Sequence, residues 1–279
     1  MNEIKRNIIT VQSQVASGYV GNNIAALAIQ LHGFDPVQLP TVLLSNHIEY
    51  PEVYGMPIAP ELITDLFKGI KANHFVEQCN FLISGFCYDR EVIFALTDFI
   101  KGTKAKSEYR YVYDPAFGDS RSGGLYIDKK VANHSIAKLL PLSDIITPNH
   151  FEMEYILGKK INTKESFLTN LSRHEVLHSK TVIVTNVNFK NTPKDTIEVA
   201  LFKQGTIEMF TSAWVPFEAI GTGDLFTAIM TSQLNQSKDI STAILHAMDF
   251  IRIVLTDVYE HGDKDLNAKV ILKHAHLLL

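Results

Sequence analysis

Between Asn7 and Thr185, short apolar runs of strand length alternate with amphipathic helical patterns, and this alternation limits the chain to few folds. The runs are Asn7–Val11 (NIITV), Val37–Leu44, Phe81–Ser84, Arg110–Tyr113 (RYVY), Ile145–Thr147 and Val182–Thr185. Each is too short for a helix and stops at a polar residue, a glycine or a proline. After the first, a Gly-containing stretch, Ser17–Asn22, leads into a stripe of Ile24, Leu27, Ala28 and Leu31 that ends at His32-Gly33. Pro60 opens a second stripe over Ile63, Leu66, Phe67 and Ile70. Further helices are predicted over Glu91–Lys101, Val131–Leu140, Lys164–His178, and from Pro148-Asn149 to Leu157-Gly158. A single stripe per helix buries a single face, so the pattern predicts an α/β fold: a mostly parallel sheet with helices on both faces.

The register changes between Glu198 and Phe210, where two apolar segments flank Lys203-Gln204-Gly205-Thr206. This predicts a short antiparallel section in the C-terminal half. From Gly221 onward the chain reads as helical, with a long apolar helix over Asp239–Tyr259 and a last segment from Leu266. No internal repeat, low-complexity tract or Pro/Gly/Ser-rich linker interrupts the 279 residues. Residues 1–279 are therefore expected to form one domain, long enough to build a large core without disulfides or metal.

Composition narrows the partners. The chain has 26 Lys+Arg against 30 Asp+Glu, a formal net charge of −4, and its charges are mixed along the sequence. A nucleic-acid partner is therefore not expected, and no apolar stretch approaches the length of a membrane span. Cys79 and Cys87 lack the paired spacing of a zinc site and read as reduced thiols. Met1–Arg6 is polar and runs directly into a strand-length segment, without the apolar core of a secretory signal. A cytoplasmic location is the expectation.

In a parallel α/β sheet, ligands gather beyond the carboxyl ends of the strands. Polar residues stand in those places: Ser13, the Ser45-Asn46-His47 cluster, Ser84-Gly85, Asp114, Thr147 with Asn149 and Glu152, and Thr185. Any one of them alone could be a cap or a turn residue; their shared placement points to a site. The strongest local signal is Gly221-Thr222-Gly223-Asp224, two glycines around a small residue where an apolar helix begins. Helix N-termini offer unpaired N–H groups, and glycines let a phosphate oxygen come close. Asp224 has two readings there, a cap in the first helical turn or a general base beside a phosphate. The chain has no G-x-x-x-x-G-K-[ST], no G-x-G-x-x-G after the first strand and no G-x-S-x-G. P-loop, dinucleotide-binding and simple serine-hydrolase readings are disfavoured accordingly.

Taken together these blocks resemble those of the pyridoxal kinases, the vitamin B6 kinases of the ribokinase-like superfamily. The resemblance runs almost end to end. It rests on Val11-Gln12-Ser13 with Gly18-Tyr19-Val20-Gly21-Asn22, Ser45-Asn46-His47, Ser84-Gly85-Phe86, Asp114-Pro115 with Gly118-Asp119, Gly124-Leu125-Tyr126, Thr147-Pro148-Asn149-His150-Phe151-Glu152 and Gly221-Thr222-Gly223-Asp224. The G-x-G-D and N-x-x-E elements indicate the superfamily, and the early S-x-x-x-x-G-Y-V-G-N and S-N-H blocks narrow it to the B6 kinases.

The resemblance implies a ribokinase-like fold and ATP-dependent phosphorylation of the 5′-hydroxymethyl group of pyridoxal, with pyridoxine and pyridoxamine as further substrates. Asp224 would be the base, with Gly221, Thr222 and Gly223 as the anion hole. It implies ATP and Mg²⁺ contacts at Asp114, Asn149 and Glu152, with Asp114 and Glu152 near the metal, further ATP contacts at Thr147, Thr185 and Tyr126, and a monovalent cation (K⁺ or Na⁺) nearby. Ser13 and Thr41 would bond the ring substituents of the substrate, with His47 behind them. His47 is equally readable as an ordinary loop or core histidine. Phe86 stands where many relatives carry tyrosine, so ring stacking is kept and a hydroxyl is lost. Trp214 reads either as an adenine neighbour or as a core or interface residue, and Gly118–Gly124 either as a lid or as an ordinary loop. A homodimer is also implied. The rival readings are a hydroxymethylpyrimidine or other small-alcohol kinase of the same superfamily, and a non-catalytic nucleotide- or B6-binding protein.

Overall fold

In the computed structural model, residues 7–279 are described; the polar segment Met1–Arg6 lies outside them. The strands are β1 (Asn7–Val15), β2 (Asp35–Leu44), β3 (Gly55–Pro57), β4 (Cys79–Ser84), β5 (Arg110–Tyr113), β6 (Gly118–Asp119), β7 (Gly124–Leu125), β8 (Ile145–Ile146), β9 (Thr181–Val187), β10 (Thr196–Lys203) and β11 (Thr206–Ala213). The helices are α1 (Gly21–Leu31), α2 (Pro60–Ala72), α3 (Arg90–Lys104), α4 (Lys129–Leu139), α5 (His150–Leu157), α6 (Lys164–Arg173), α7 (Thr222–Asn235), α8 (Ile240–His261) and α9 (Ala268–Lys273).

Nine strands form one sheet in the order β11-β10-β9-β8-β5-β4-β1-β2-β3. From β2 through β9 the main-sheet pairings are parallel; β3, at one edge, and β10 with β11, at the other, run antiparallel to their neighbours. The central strands are buried on both faces, and their side chains alternate between two cores. Ile8, Phe81, Ile83, Val112, Ile145 and Ile183 face α1, α7 and α8. Ile9, Val11, Leu82, Tyr111, Tyr113, Ile146, Val182 and Val184 belong to the core beneath α2, α3 and α6. The two-residue period of a strand makes adjacent residues serve opposite cores, which is why these runs are continuously apolar in sequence.

Chain order places the site. From β1 the chain steps to β2 and β3 on one side, then returns to β4 on the other, so the sheet changes direction at β1. Such a switch point opens a crevice beyond the carboxyl ends of the strands.

One expectation needs correction. The helix predicted over Lys164–His178 ends at Arg173: His174 turns extended, and its Nδ1 accepts the backbone N–H groups of Val176 and Leu177, which starts a separate 3₁₀ turn at Leu177–Ser179. After Gly221 the chain is helical as expected, in α7, in α8, which Asp239 caps and Gly262 ends in a left-handed conformation, and in α9. Gly118–Gly124 is built as a miniature hairpin, with Gly118 paired to Leu125 and Asp119 to Gly124.

Candidate active site

A cavity of about 370 Å³ occupies the crevice. The switch-point strand supplies Ser13, which is buried and whose hydroxyl makes no hydrogen bond among the described residues. The chain then turns through Ser17–Val20 into α1. Its first residue, Gly21, has φ +52°, and a Cβ there would lie 2.2 Å from Ser13 Oγ and 2.3 Å from Ser13 O. The Gly21 N–H donates to Asp224 Oδ2 at 2.7 Å, across 203 residues of sequence. One glycine thereby joins the strand end that carries Ser13 to the helix that carries Asp224.

Asp224 lies in the first turn of α7. Burial pushes its carboxyl up to about 6, against which the Gly21 hydrogen bond works. The N-cap of α7 is Gly221, at φ +85°, with no side-chain cap. A Cβ on Gly221 would stand 2.0 Å from the Tyr19 carbonyl oxygen, so this glycine is required by the packing of the loop before α1. Gly223 has open space where a Cβ would be, on the exposed side of the helix start. The two glycines of the motif thus have separate reasons: Gly221 lets two loops meet, and Gly223 leaves room at the uncapped N–H groups.

The opposite wall is acidic. Asp114, after β5, has its Oδ2 2.9 Å from Thr227 Oγ1, which also lies 3.0 Å from Thr147 Oγ1. Thr227 ties α7 to the ends of β5 and β8. It escapes a motif search, although a hydroxyl three residues after Asp224 falls on the same helix face. Asn149 and Glu152 form a capping box at the start of α5, and Glu152 also accepts N–H bonds from Phe117 at 2.8 Å and Gly118 at 3.2 Å. Asn149 Nδ2 donates to the Gly118 carbonyl at 2.7 Å. The N-x-x-E element therefore anchors the β6–β7 hairpin. Burial, and then the neighbouring charge of Asp224, raise the Asp114 carboxyl; burial, and then Asp114, raise that of Glu152. Such crowding of carboxylates favours a cation between them.

Thr185, Tyr126, His47 and Phe86 complete the part of the wall read from sequence. His47 is braced at the loop between β2 and β3, its Nε2 3.2 Å from Asp265 Oδ2 and its ring 4.5 Å from that of Tyr50. Of the residues to which the resemblance assigns a role, Thr41 is absent from the cavity wall, as are Ser45, Asn46, Ser84 and Gly85 among the polar residues that follow strands: Thr41 is fully buried, and its hydroxyl donates to the Phe86 carbonyl at 2.6 Å, which holds Phe86 in place. Ser84 is likewise turned inward, paired with Tyr111 OH at 2.6 Å. Beyond Asp224 the cavity continues into an apolar end lined by Ile197, Val199, Val215, Phe217, Met248 and Leu255, with half-exposed Trp214 on its wall. Sequence had no motif for this end, because its residues come singly from β10, the segment after β11, and α8. Arg121, at the hairpin tip, is a further wall residue without a sequence signal.

Residues 42–268 match the phosphomethylpyrimidine kinase family model. A Schizosaccharomyces pombe protein proposed to be a pyridoxal kinase is 34% identical over 251 residues, 88% of this chain and 78% of that protein. The pyridoxal kinase of Ovis aries is 30% identical over 239 residues, 80% of this chain and 75% of that one. The chain belongs to the pyridoxal kinase family. Among solved structures, the Entamoeba histolytica pyridoxal kinase superposes with a TM-score of 0.88 at 20% identity, covering 98% of this chain and 95% of that one. A Leishmania donovani pyridoxal kinase in complex with ADP and pyridoxamine gives a TM-score of 0.82 at 24% identity, with the same coverage. The ribokinase-like fold expected from sequence is thus the fold found. Among the described residues, no helix is long and apolar enough to cross a membrane.

Proposed function

We propose that the chain transfers the γ-phosphate of ATP to the 5′-hydroxymethyl oxygen of pyridoxal, pyridoxine and pyridoxamine, giving the 5′-phosphate and ADP in B6 salvage. The observation that carries this reading is the Gly21 bridge, which holds an unpaired hydroxyl, Ser13, and a half-buried carboxylate, Asp224, around one end of a single cavity. A hydroxymethylpyridine placed with its ring against Ser13, His47 and Phe86 would bring its alcohol to Asp224. The apolar end beyond Trp214 suits an adenine.

Asp224 accepts the alcohol proton as the oxygen forms its bond to the γ-phosphorus and the bond to the ADP oxygen breaks. The charge that spreads over the transferring group meets the uncapped N–H groups of Gly221, Thr222 and Gly223. The donor set also fits Mg²⁺. Asp114 and the hydroxyl and amide groups of Thr147, Asn149 and Thr185 are hard oxygen donors, and among the described residues no three His, Cys, Asp or Glu form a ready-made cage. Mg²⁺ keeps most of its waters and binds through one or two carboxylates plus phosphates. Asp114 would hold it; Glu152, already accepting three backbone N–H bonds, would reach it through water. The ion would neutralise phosphate charge, and a monovalent cation would offset the remaining carboxylates. A homodimer and a cytoplasmic location complete the reading, supported by the family resemblance.

The test is ATP consumption with Mg²⁺ against pyridoxal, pyridoxine, pyridoxamine, hydroxymethylpyrimidine and ribose, with products identified by mass. Turnover of the B6 vitamers is expected. Turnover confined to the pyrimidine, the reading favoured by the family model's description, would reassign the ring pocket. A second expected result concerns Ser13→Ala: KM for pyridoxal rises about tenfold while KM for ATP is unchanged, as for loss of one buried hydrogen bond. Equal rises in both would remove Ser13 from ring binding.

A further inference from the structure

The cavity that would receive ATP is poor in positive charge. Asp114, Asp119, Glu152, Glu218, Glu49 and Asp224 stand on its wall against His47 and two guanidinium groups, Arg121 and Arg252. Arg252 lies on α8 beside Met248, Ile251 and Leu255, at the apolar end. Arg121 is therefore the permanent cation at the acidic end.

Its setting is built. Asp119, 5% exposed, accepts from Arg121 Nε at 3.2 and 3.1 Å through its two oxygens, from Nη2 at 2.7 Å and from the Arg121 backbone N–H at 2.8 Å. These bonds fix the inner edge of the guanidinium, while Nη1 has no hydrogen-bond partner among the described residues. The base of the same hairpin is bonded to Glu152 and Asn149, so Arg121 is hung from the acidic wall. Asp119 first, and then Tyr126 and Glu218, hold the guanidinium in its charged form. Glu218 directly precedes the loop that begins α7, so Arg121 stands within electrostatic reach of the uncapped helix start. A planar fork held on one edge and open on the other is the arrangement that takes a phosphate bidentately.

We propose that Arg121 is a phosphate clamp: braced by Asp119, it closes the hairpin side of the site on the β- and γ-phosphates of the nucleotide, opposite the Gly221–Gly223 amides. This rests on the reading that an adenine nucleotide occupies the cavity. In the chain's own terms, Asp119 is a positioning residue and Arg121 the group that touches the ligand.

The test compares binding of Mg²⁺-ADP and of adenosine to the full-length protein, followed by the fluorescence of Trp214, the sole tryptophan, which lines the same cavity. Arg121→Ala is expected to weaken ADP roughly tenfold to a hundredfold, the size of a lost charged hydrogen-bonding group, and to leave adenosine unchanged. Arg121→Lys, which keeps the charge and loses the fork, falls between the two. Asp119→Asn, which loosens the brace, weakens ADP less than Arg121→Ala does. The KM for pyridoxal at saturating ATP stays at the wild-type value in each variant. Undiminished ADP affinity in Arg121→Ala overturns the clamp, as does an equal loss of ADP and adenosine, which would mark a structural role. Either result leaves the kinase reading standing if the wild type still phosphorylates pyridoxal. A wild type that binds neither ligand overturns both.

Discussion

Replacing Asp224 with Asn is expected to lower kcat for pyridoxal about a thousandfold, within the roughly 10² to 10⁴ that a positioned general base contributes. The amide keeps the shape and can still accept the Gly21 N–H through its carbonyl oxygen, so the helix start and the cavity persist and ADP affinity is retained. What disappears is the acceptor for the alcohol proton. Steady-state rates with saturating ATP and pyridoxal measure this, and an unchanged kcat would return Asp224 to the role of a helix cap. The same group sets the acid limb of the pH profile. Its carboxyl is pushed up to about 6 by burial, and only the ionised form accepts a proton. The kcat/KM of the wild type is therefore level above that pH and falls tenfold per unit below it; a limb near pH 4 would show that another group titrates.

Gly21→Ala is expected to be as damaging, by a different route. At φ +52° an L-residue is strained, and the new Cβ would overlap Ser13 Oγ and the Ser13 carbonyl. The backbone conformation alone costs about 1–3 kcal/mol, and the overlap adds to that. Relief requires the start of α1 to move away from β1, which withdraws the N–H from Asp224. Thermal unfolding should show a Tm lower by several degrees, and kcat should fall well beyond what the lost stability explains, since the folded fraction still lacks the bridge. A variant with wild-type Tm and kcat would mean that the loop relaxes freely, and the bridge would lose its importance. Gly223→Ala serves as the contrast, because open space surrounds its Cβ position and the fold should be kept.

The sheet was legible because a strand buried on both faces is apolar at every position: Phe81-Leu82-Ile83 divides its side chains between two cores. The helix starts were legible where the signal is local, as at Pro60 and in the Asn149–Glu152 capping box. The end of α6 was not, since it depends on a histidine ring turning back to cap the next turn. Strand β3 is three residues long and owes its existence to pairing with β2, a contact invisible in its own composition. In the site, motif residues reached the cavity because they follow strands. Thr41 was placed there by resemblance, whereas the structure gives its hydroxyl to the Phe86 carbonyl. Thr227 and Arg121 were missed for the opposite reason: a threonine inside an apolar helix and an arginine in a polar loop are ordinary locally, and acquire meaning from partners brought by other segments.

The hydrogen bond between Gly21 and Asp224 spans 203 residues, and this separation has a consequence for a chain emerging from the ribosome. At roughly 5–20 residues per second, about 10 to 40 s pass between synthesis of the two ends of that bond. Throughout that interval β1 can pair with β2 and β4, yet α1 lacks the α7 surface against which Ile24 and Ala28 are buried. The nascent chain therefore carries Ser13 without Asp224 and without the Gly221–Gly223 amides that share its cavity. On the proposed reading, in which Ser13 holds the ring and Asp224 takes the proton, a chain that stops short of α7 would have neither the base nor the phosphate-binding amides, and so could not couple vitamer binding to phosphoryl transfer.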